Sequence, residues 1–93
     1  MTRAKGFGKY PRYVADDPTI NHLDKAMVGV ISSYISKQYG YSWMSVKEMA
    51  LRLTISVSTA QRSLKRLEQK GIISRDGYHS TSVGSSKITR LNL

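Results

Sequence analysis

Ninety-three residues is room for one domain, and a chain this short buries only about two-thirds of its unfolded surface, so a compact core fits and a catalytic cleft between domains does not. Fifteen Lys and Arg against six Asp and Glu leave a net charge of +9, which selects polyanionic partners, nucleic acid or an anionic membrane face. The absence of cysteine excludes disulfides and thiolate metal sites, and the longest apolar-leaning run, Ala26 to Ile35, is broken by Gly29, Ser32 and Ser33 and falls short of the roughly 20 residues a membrane span needs.

Residues 1–13 carry Arg3, Lys5, Lys9 and Arg12 with no acid, and include Gly6 and Gly8, the composition of a flexible basic arm ahead of a domain over 14–93. No hydrophobic stretch stands behind these charges, so the segment does not read as a secretion signal and a cytoplasmic location is expected. Pro11 and Pro18 bracket an extended lead-in expected to lay Tyr13 or Val14 on the core. A first helix is predicted from Asn21 to Tyr39: Asn21 caps it, Asp24 suits the positive end of its dipole, and Gly40 ends it. Leu23, Ala26, Met27, Val30, Ile31 and Tyr34 recur at helical spacing as its buried stripe. Tyr41 to Met44 reads as a short extended piece able to join a small sheet, with Trp43 in the core.

Ser45-Val46-Lys47-Glu48 has the form of a capping box, the serine oxygen taking one free amide and the glutamate reaching back to another. Val46, Met49, Ala50 and Leu53 follow on one face, so the second helix is short and ends near Leu53. Thr54-Ile55 makes the turn, and Ser56 caps a third helix running to about Lys70. Ala60, Leu64 and Leu67 point inward on it, with Ser63 beside them. Ser58, Arg62, Lys65 and Gln69 lie opposite, flanked by Thr59, Gln61 and Arg66. Gly71 closes this helix, Ile72-Ile73 begin a strand, Asp76-Gly77 signals a turn, and Lys87 to Leu93 reads as the returning strand. Tyr78 to Ser86, rich in Ser, Thr and Gly, reads as the flexible tip of the hairpin.

Two short helices joined by a tight turn, then a hairpin, make a helix-turn-helix with a wing. The fold class expected is α+β, mainly α, with three helices and a small antiparallel sheet. The run from Ser45 through Ile73 resembles the winged helix-turn-helix superfamily, and within it the domains at the front of phage and plasmid replication initiators. Small DNA-binding accessory proteins of mobile elements share the pattern. The similarity spans about Tyr13 to Leu93; it is specific for fold and DNA binding and weak for biological role. Two departures stand out. The family often has glycine where this chain has Thr54, and a β-branched residue resists the positive φ such a turn takes, so another backbone shape and a tilted third helix are expected. Leu51 falls off the apolar stripe of its helix, which leaves it either packed under the wing or facing a partner protein.

The resemblance implies duplex DNA as partner, and the third helix supplies the logic. Its N-terminus offers free amides to a phosphate, with Ser56 and Ser58 nearby. Arg62 and Gln61 are the candidates for base edges, each good bidentate pair giving about 1–3 kcal/mol of discrimination. Thr59 and Ser58 suit shorter contacts, and Lys65 and Arg66, one turn later, suit the backbone. On the wing, Arg75, His79, Lys87 and Arg90 surround a tip able to follow phosphates or enter a minor groove. Arg3 and Lys5 of the arm can do the same on the far side. His79 reads as a polar contact, not a metal ligand, and no cofactor or metal is expected.

Catalysis is disfavoured, because His22 and His79 lie far apart in sequence and Asp16-Asp17 read as a turn; Tyr78 has no histidine cluster to hold a metal beside it. A protein-interaction winged-helix module is the rival of another class, and the basic third helix argues against it. Single-strand or RNA binding calls for an exposed aromatic platform, and most aromatics fall in or near the first helix. Within DNA binding, an accessory factor marking a plasmid or phage origin in replication or conjugative transfer, with replication or relaxosome proteins as neighbours, or a domain of a longer initiator, is expected. A transcriptional regulator on an operator is the alternative. No effector domain is expected after the wing, which is what favours the origin-marking role, and no helix is expected to be dedicated to dimerisation, so a homodimer would come from the arm, the first helix or cooperative binding on DNA.

Overall fold

The computed structural model describes residues 17–82 and 84–92, so the arm with Arg3 and Lys5, and the lead-in with Tyr13 and Val14, lie outside the described residues. The described chain forms α1 (His22–Ser33), α2 (Val46–Leu53), α3 (Val57–Gln69), β1 (Ile73–Ser74), β2 (Tyr78–Thr81), β3 (Gly84–Lys87) and β4 (Arg90–Leu91). It is a mainly helical winged helix-turn-helix with two small antiparallel sheets.

Asn21 caps α1 as expected, its side-chain oxygen accepting from the Asp24 amide at 2.8 Å. The helix stops at Ser33, well short of Tyr39. The Ser32 and Ser33 hydroxyls both donate to the Gly29 carbonyl, at 3.1 and 2.6 Å, a competition that weakens the last turn. Ser36 then organises a separate turn: its hydroxyl accepts from the Gln38 and Tyr39 amides, and its carbonyl accepts from Gly40. Gly40 (φ +77°) therefore closes this turn and not the helix. Tyr34, expected inside, is exposed beside the end of α1.

In α2 the first half of the capping box forms, with Ser45 Oγ accepting from the Glu48 amide at 3.1 Å. The reciprocal half is replaced: the Glu48 carboxylate turns to Arg52, 3.3 Å away and one turn on. The turn to α3 keeps the left-handed shape despite its residue. Thr54 has φ 56° and ψ 47°, its amide donates to Leu51 O, and the Ile55 amide donates to Ala50 O at 3.0 Å. This pair of bonds satisfies carbonyls left open at the helix end, which is what stabilises a left-handed C-terminal residue. The expectation of a different backbone shape is thus overturned. Gly71 (φ +76°) closes α3 with the same two bonds, from Gly71 to Glu68 O and from Ile72 to Leu67 O.

The three helices pack on one another around Met27, Val28, Ile31, Met49, Ala50, Ala60, Leu64 and Leu67, with Ile20, Ile72 and Ile73 closing the edges. Val28 lies off the expected stripe and is fully buried, whereas Leu23 and Ala26 are half-buried. Among the described residues the core is aliphatic and methionine-lined, and none of the described aromatic side chains is buried. At its polar edge Asp24, 1% exposed, accepts from Ser63 Oγ at 2.6 Å and from Arg66 Nε and Nη2 at 2.9 and 2.8 Å, tying α1 to α3.

The wing begins as β1 paired with β4, Ile73 opposite Leu91 and Ser74 opposite Arg90. Ser42 adds a single bridge to Thr89, with amide–carbonyl bonds of 2.9 and 2.7 Å, which is the reduced form of the third strand. The stretch from Tyr78 to Ser86, expected as an irregular tip, is mostly paired strand. Residues 78–81 and 84–87 form the β2–β3 hairpin itself, in the register Tyr78–Lys87, His79–Ser86, Ser80–Ser85 and Thr81–Gly84. Gly77 (φ +102°), whose carbonyl accepts from the Ile88 amide, kinks the ascending strand and does not reverse the chain. The reversal comes between Thr81 and Gly84.

Candidate nucleic-acid interface

The exposed side of α3 begins at its cap. Ser56 Oγ accepts from the Thr59 amide at 3.2 Å, donates to Thr59 Oγ1 at 2.8 Å, and lies 3.3 Å from Ser58 Oγ. Arg62 Nη2 donates to the same Thr59 oxygen at 3.3 Å, which lays the guanidinium along the first turn of the helix. Ser56, Ser58, Thr59 and Arg62 thus form one polar cluster at the positive end of the helix dipole. Gln61 and Lys65 are exposed beside it.

A groove of about 440 Å³ runs between α3, the start of α2 and the wing, lined by Met44, Ser45, Val46, Gln61, Arg75, Ser85, Ser86 and Lys87. It brings Gln61 from the helix and Arg75 and Lys87 from the wing onto one face. Arg75 is half-buried and donates from Nε to Thr89 Oγ1 at 3.0 Å; burial holds its pKa below the usual guanidinium value, opposed by Glu68 and Tyr78.

Alternation along the hairpin sorts the remaining wing residues. Tyr78 is the cross-strand partner of Lys87 and so shares its face, whereas His79 points to the other. His79 stacks on Trp43 there, centroids 4.0 Å apart and planes 12° from parallel, and its Nδ1 shares a 3.1 Å hydrogen bond with the Tyr41 hydroxyl. It makes the polar contact expected of it, but within the protein and on the back of the wing. Trp43, expected in the core, is half-buried in this surface cluster.

A family model described as a helix-turn-helix domain matches residues 19–73, more than half of the chain. The chain belongs to the helix-turn-helix domain family. No curated protein and no solved structure matches it. In this helix-turn-helix domain α2 and α3 are the paired helices, Thr54 is in the turn between them, and β2 to β4 lie beyond the matched span.

Within the helix-turn-helix unit, one cation is diverted from the expected surface. Arg66 is held by both carboxylate oxygens of Asp24, whose hydrogen bonds raise its pKa above the ordinary value, so it serves the α1–α3 joint. Two surface residues were missed by sequence reasoning. Val57 is 42% exposed at the first turn of α3, and Tyr78 is 69% exposed on the groove side of the wing. Val57 has the spacing of the inward stripe, three residues before Ala60 and seven before Leu64, yet stands exposed in the first turn, and Tyr78 would have emerged from strand alternation had residues 78–81 been read as a strand. Leu51 is 71% exposed, which removes the reading that it packs under the wing. Among the described residues no three His, Asp or Glu gather as metal ligands, and no helix is long and apolar enough to cross a membrane.

Proposed function

We propose that this helix-turn-helix domain binds duplex DNA sequence-specifically, with α3 in the major groove and the wing along the adjoining backbone. The observation carrying the reading is that Gln61 of α3 and Lys87 of the wing open onto one groove, with the Ser56–Arg62 cluster at the helix end beside it. Gln61 and Arg62 are assigned to base edges, bidentate to adenine and guanine respectively. Ser56, Ser58, Thr59 and the α3 amides are assigned to a phosphate, and Lys65 and Lys87 to the flanking backbone. Val57 fits a thymine methyl group, and Tyr78 fits the sugar–phosphate wall beside Lys87. Arg75 shapes the groove and contributes charge, while Arg3 and Lys5 are assigned to the neighbouring minor groove. His79 and Arg66 are left out of this contact set, because His79 Nδ1 is bonded to Tyr41 on the back of the wing and Arg66 Nε and Nη2 are held by Asp24.

The role proposed is that of an origin-marking accessory factor of a plasmid or phage, supported by the resemblance to replication-initiator front domains. A homodimer or cooperative pair would place its half-sites about 10–10.5 base pairs apart, or a multiple of that. Selection of bound duplexes from a random pool tests the reading, followed by a search for the selected site in neighbouring DNA. A site repeated near an origin is expected; a single site upstream of a coding region would assign an operator instead. Failure to retain any duplex in dilute buffer would overturn duplex binding itself. With the selected site, Arg62→Ala or Gln61→Ala should cost about 1–3 kcal/mol and relax preference at one base position. Lys87→Ala should weaken all sequences alike and lower the salt slope by about 0.9.

A further inference from the structure

Aromatic side chains normally dominate a small core, because each buries a large apolar area. Here the core is aliphatic and the described aromatics are gathered at the surface. Tyr39, Tyr41, Trp43 and His79 form one cluster: Tyr39 stacks on Tyr41 at 5.6 Å and meets Trp43 edge-on at 5.9 Å, and Trp43 stacks on His79. Tyr39 is 46% exposed, and the Arg90 guanidinium lies 4.9 Å from the Tyr41 ring centre. From Trp43 a second groove, of about 460 Å³, runs past Ser45 and Ser86 to Tyr34, itself 46% exposed, with Arg52 5.1 Å from the Tyr34 ring centre. The acid lining this groove, Glu48, is neutralised by Arg52. Rings with cations beside them, in a chain of net charge +9, form a surface complementary to bases on a phosphate backbone.

We infer that this aromatic cluster and the groove beside it bind an unpaired strand of DNA, its bases stacking on Tyr34, Tyr39 and Trp43 and its phosphates meeting Arg90. The position adds to the chemistry. The second groove and the groove beside α3 share Met44, Ser45 and Ser86, so the two surfaces adjoin along the segment entering α2 and at Ser86 of β3. A strand leaving a duplex held on α3 reaches the rings directly, as at the edge of a melted site. Stacking on aromatic side chains is tolerant of sequence, since every base has a π-face. The single-strand surface is therefore expected to be unspecific where the duplex surface is specific.

Trp43 is the one tryptophan of the chain and so reports on its own groove. The test titrates the full chain with single-stranded dT20 in low salt, following Trp43 fluorescence. Quenching is expected, and Tyr34→Leu and Tyr39→Leu should each weaken dT20 binding about fivefold or more. Both are exposed positions outside the α3 contact set, so duplex binding should stay unchanged, whereas Arg62→Ala should weaken the duplex and spare dT20. No quenching by dT20 overturns the inference. So does equal quenching by polyphosphate, which has charge without bases, or unaltered dT20 affinity in both tyrosine variants. Tighter binding of rU20 than of dT20 overturns the assignment to DNA. Quenching by dT20 with no duplex binding would remove the duplex reading alone.

Discussion

Thr54 occupies a backbone conformation that costs an L-residue about 1–2 kcal/mol, and its β-branched side chain gives no relief. The two amide–carbonyl bonds around it hold the turn in place, so the helix-turn-helix geometry survives the residue. Thr54→Gly should raise unfolding stability by about 0.5–1 kcal/mol in urea denaturation, the relief being partly offset by the looser unfolded chain of glycine. Unchanged or lowered stability would show that the threonine is not strained. Asp24 presents the opposite case. It is buried and linked to Ser63 and Arg66, and Asp24→Asn should lower stability by about 2 kcal/mol, because Arg66 is partly solvated and softens the loss. Arg66→Gln should likewise reduce stability while leaving the salt dependence of DNA binding where it was; Lys65→Ala should do the reverse. The presence of Asp24 in a first turn was legible in the sequence. Its partner was not, since Arg66 lies 42 residues away and nothing local distinguishes it from Arg62.

At the scale of elements, what the sequence announced best were the starts of helices. Asn21, Ser45 and Ser56 each cap where their side-chain chemistry predicts, because capping is decided within three residues. The end of α1 was harder, for Ile35 continues the apolar pattern after hydroxyl groups have already loosened the backbone. The hairpin was hardest. β2 and β3 are Ser, Thr and Gly apart from Tyr78, His79 and Lys87, with no run of apolar alternation, and their side chains are half-buried or exposed, so cross-strand hydrogen bonds define them in place of burial. Gly77 sets how this hairpin leaves the body. A methyl group there would sit 3.6 Å from Ile88 Cδ1, which is ordinary contact, but its φ of +102° is closed to other residues. Gly77→Ala should therefore cost about 1–2 kcal/mol by backbone strain and weaken DNA binding by re-aiming Lys87 and Tyr78. Calorimetry paired with a binding titration checks both halves.

Across the whole molecule, charge and core are arranged on different principles. The aliphatic core could be read from helical spacing, and most of its inward positions were. The distribution of cations could not, because whether a lysine or arginine faces a partner or a buried acid depends on contacts distant in sequence. Lys65 and Lys87 sit on α3 and the wing, separate enough to act independently, so their double neutralisation should reduce the salt slope by about 1.8. A smaller combined change would mean that helix and wing do not engage the same duplex together.

The bond between Ser42 and Thr89 joins the extended segment to the base of the wing, while most of the β2–β3 ladder stands clear of the aliphatic interior. Its amides are guarded by little besides their own pairing, so residues 78–87 should open and take up deuterium long before those of α1 or α3. Once the outer hairpin rests on a polynucleotide, that uptake should slow selectively. A footprint in exchange rates would then map which side of the wing is occupied, without altering a single residue.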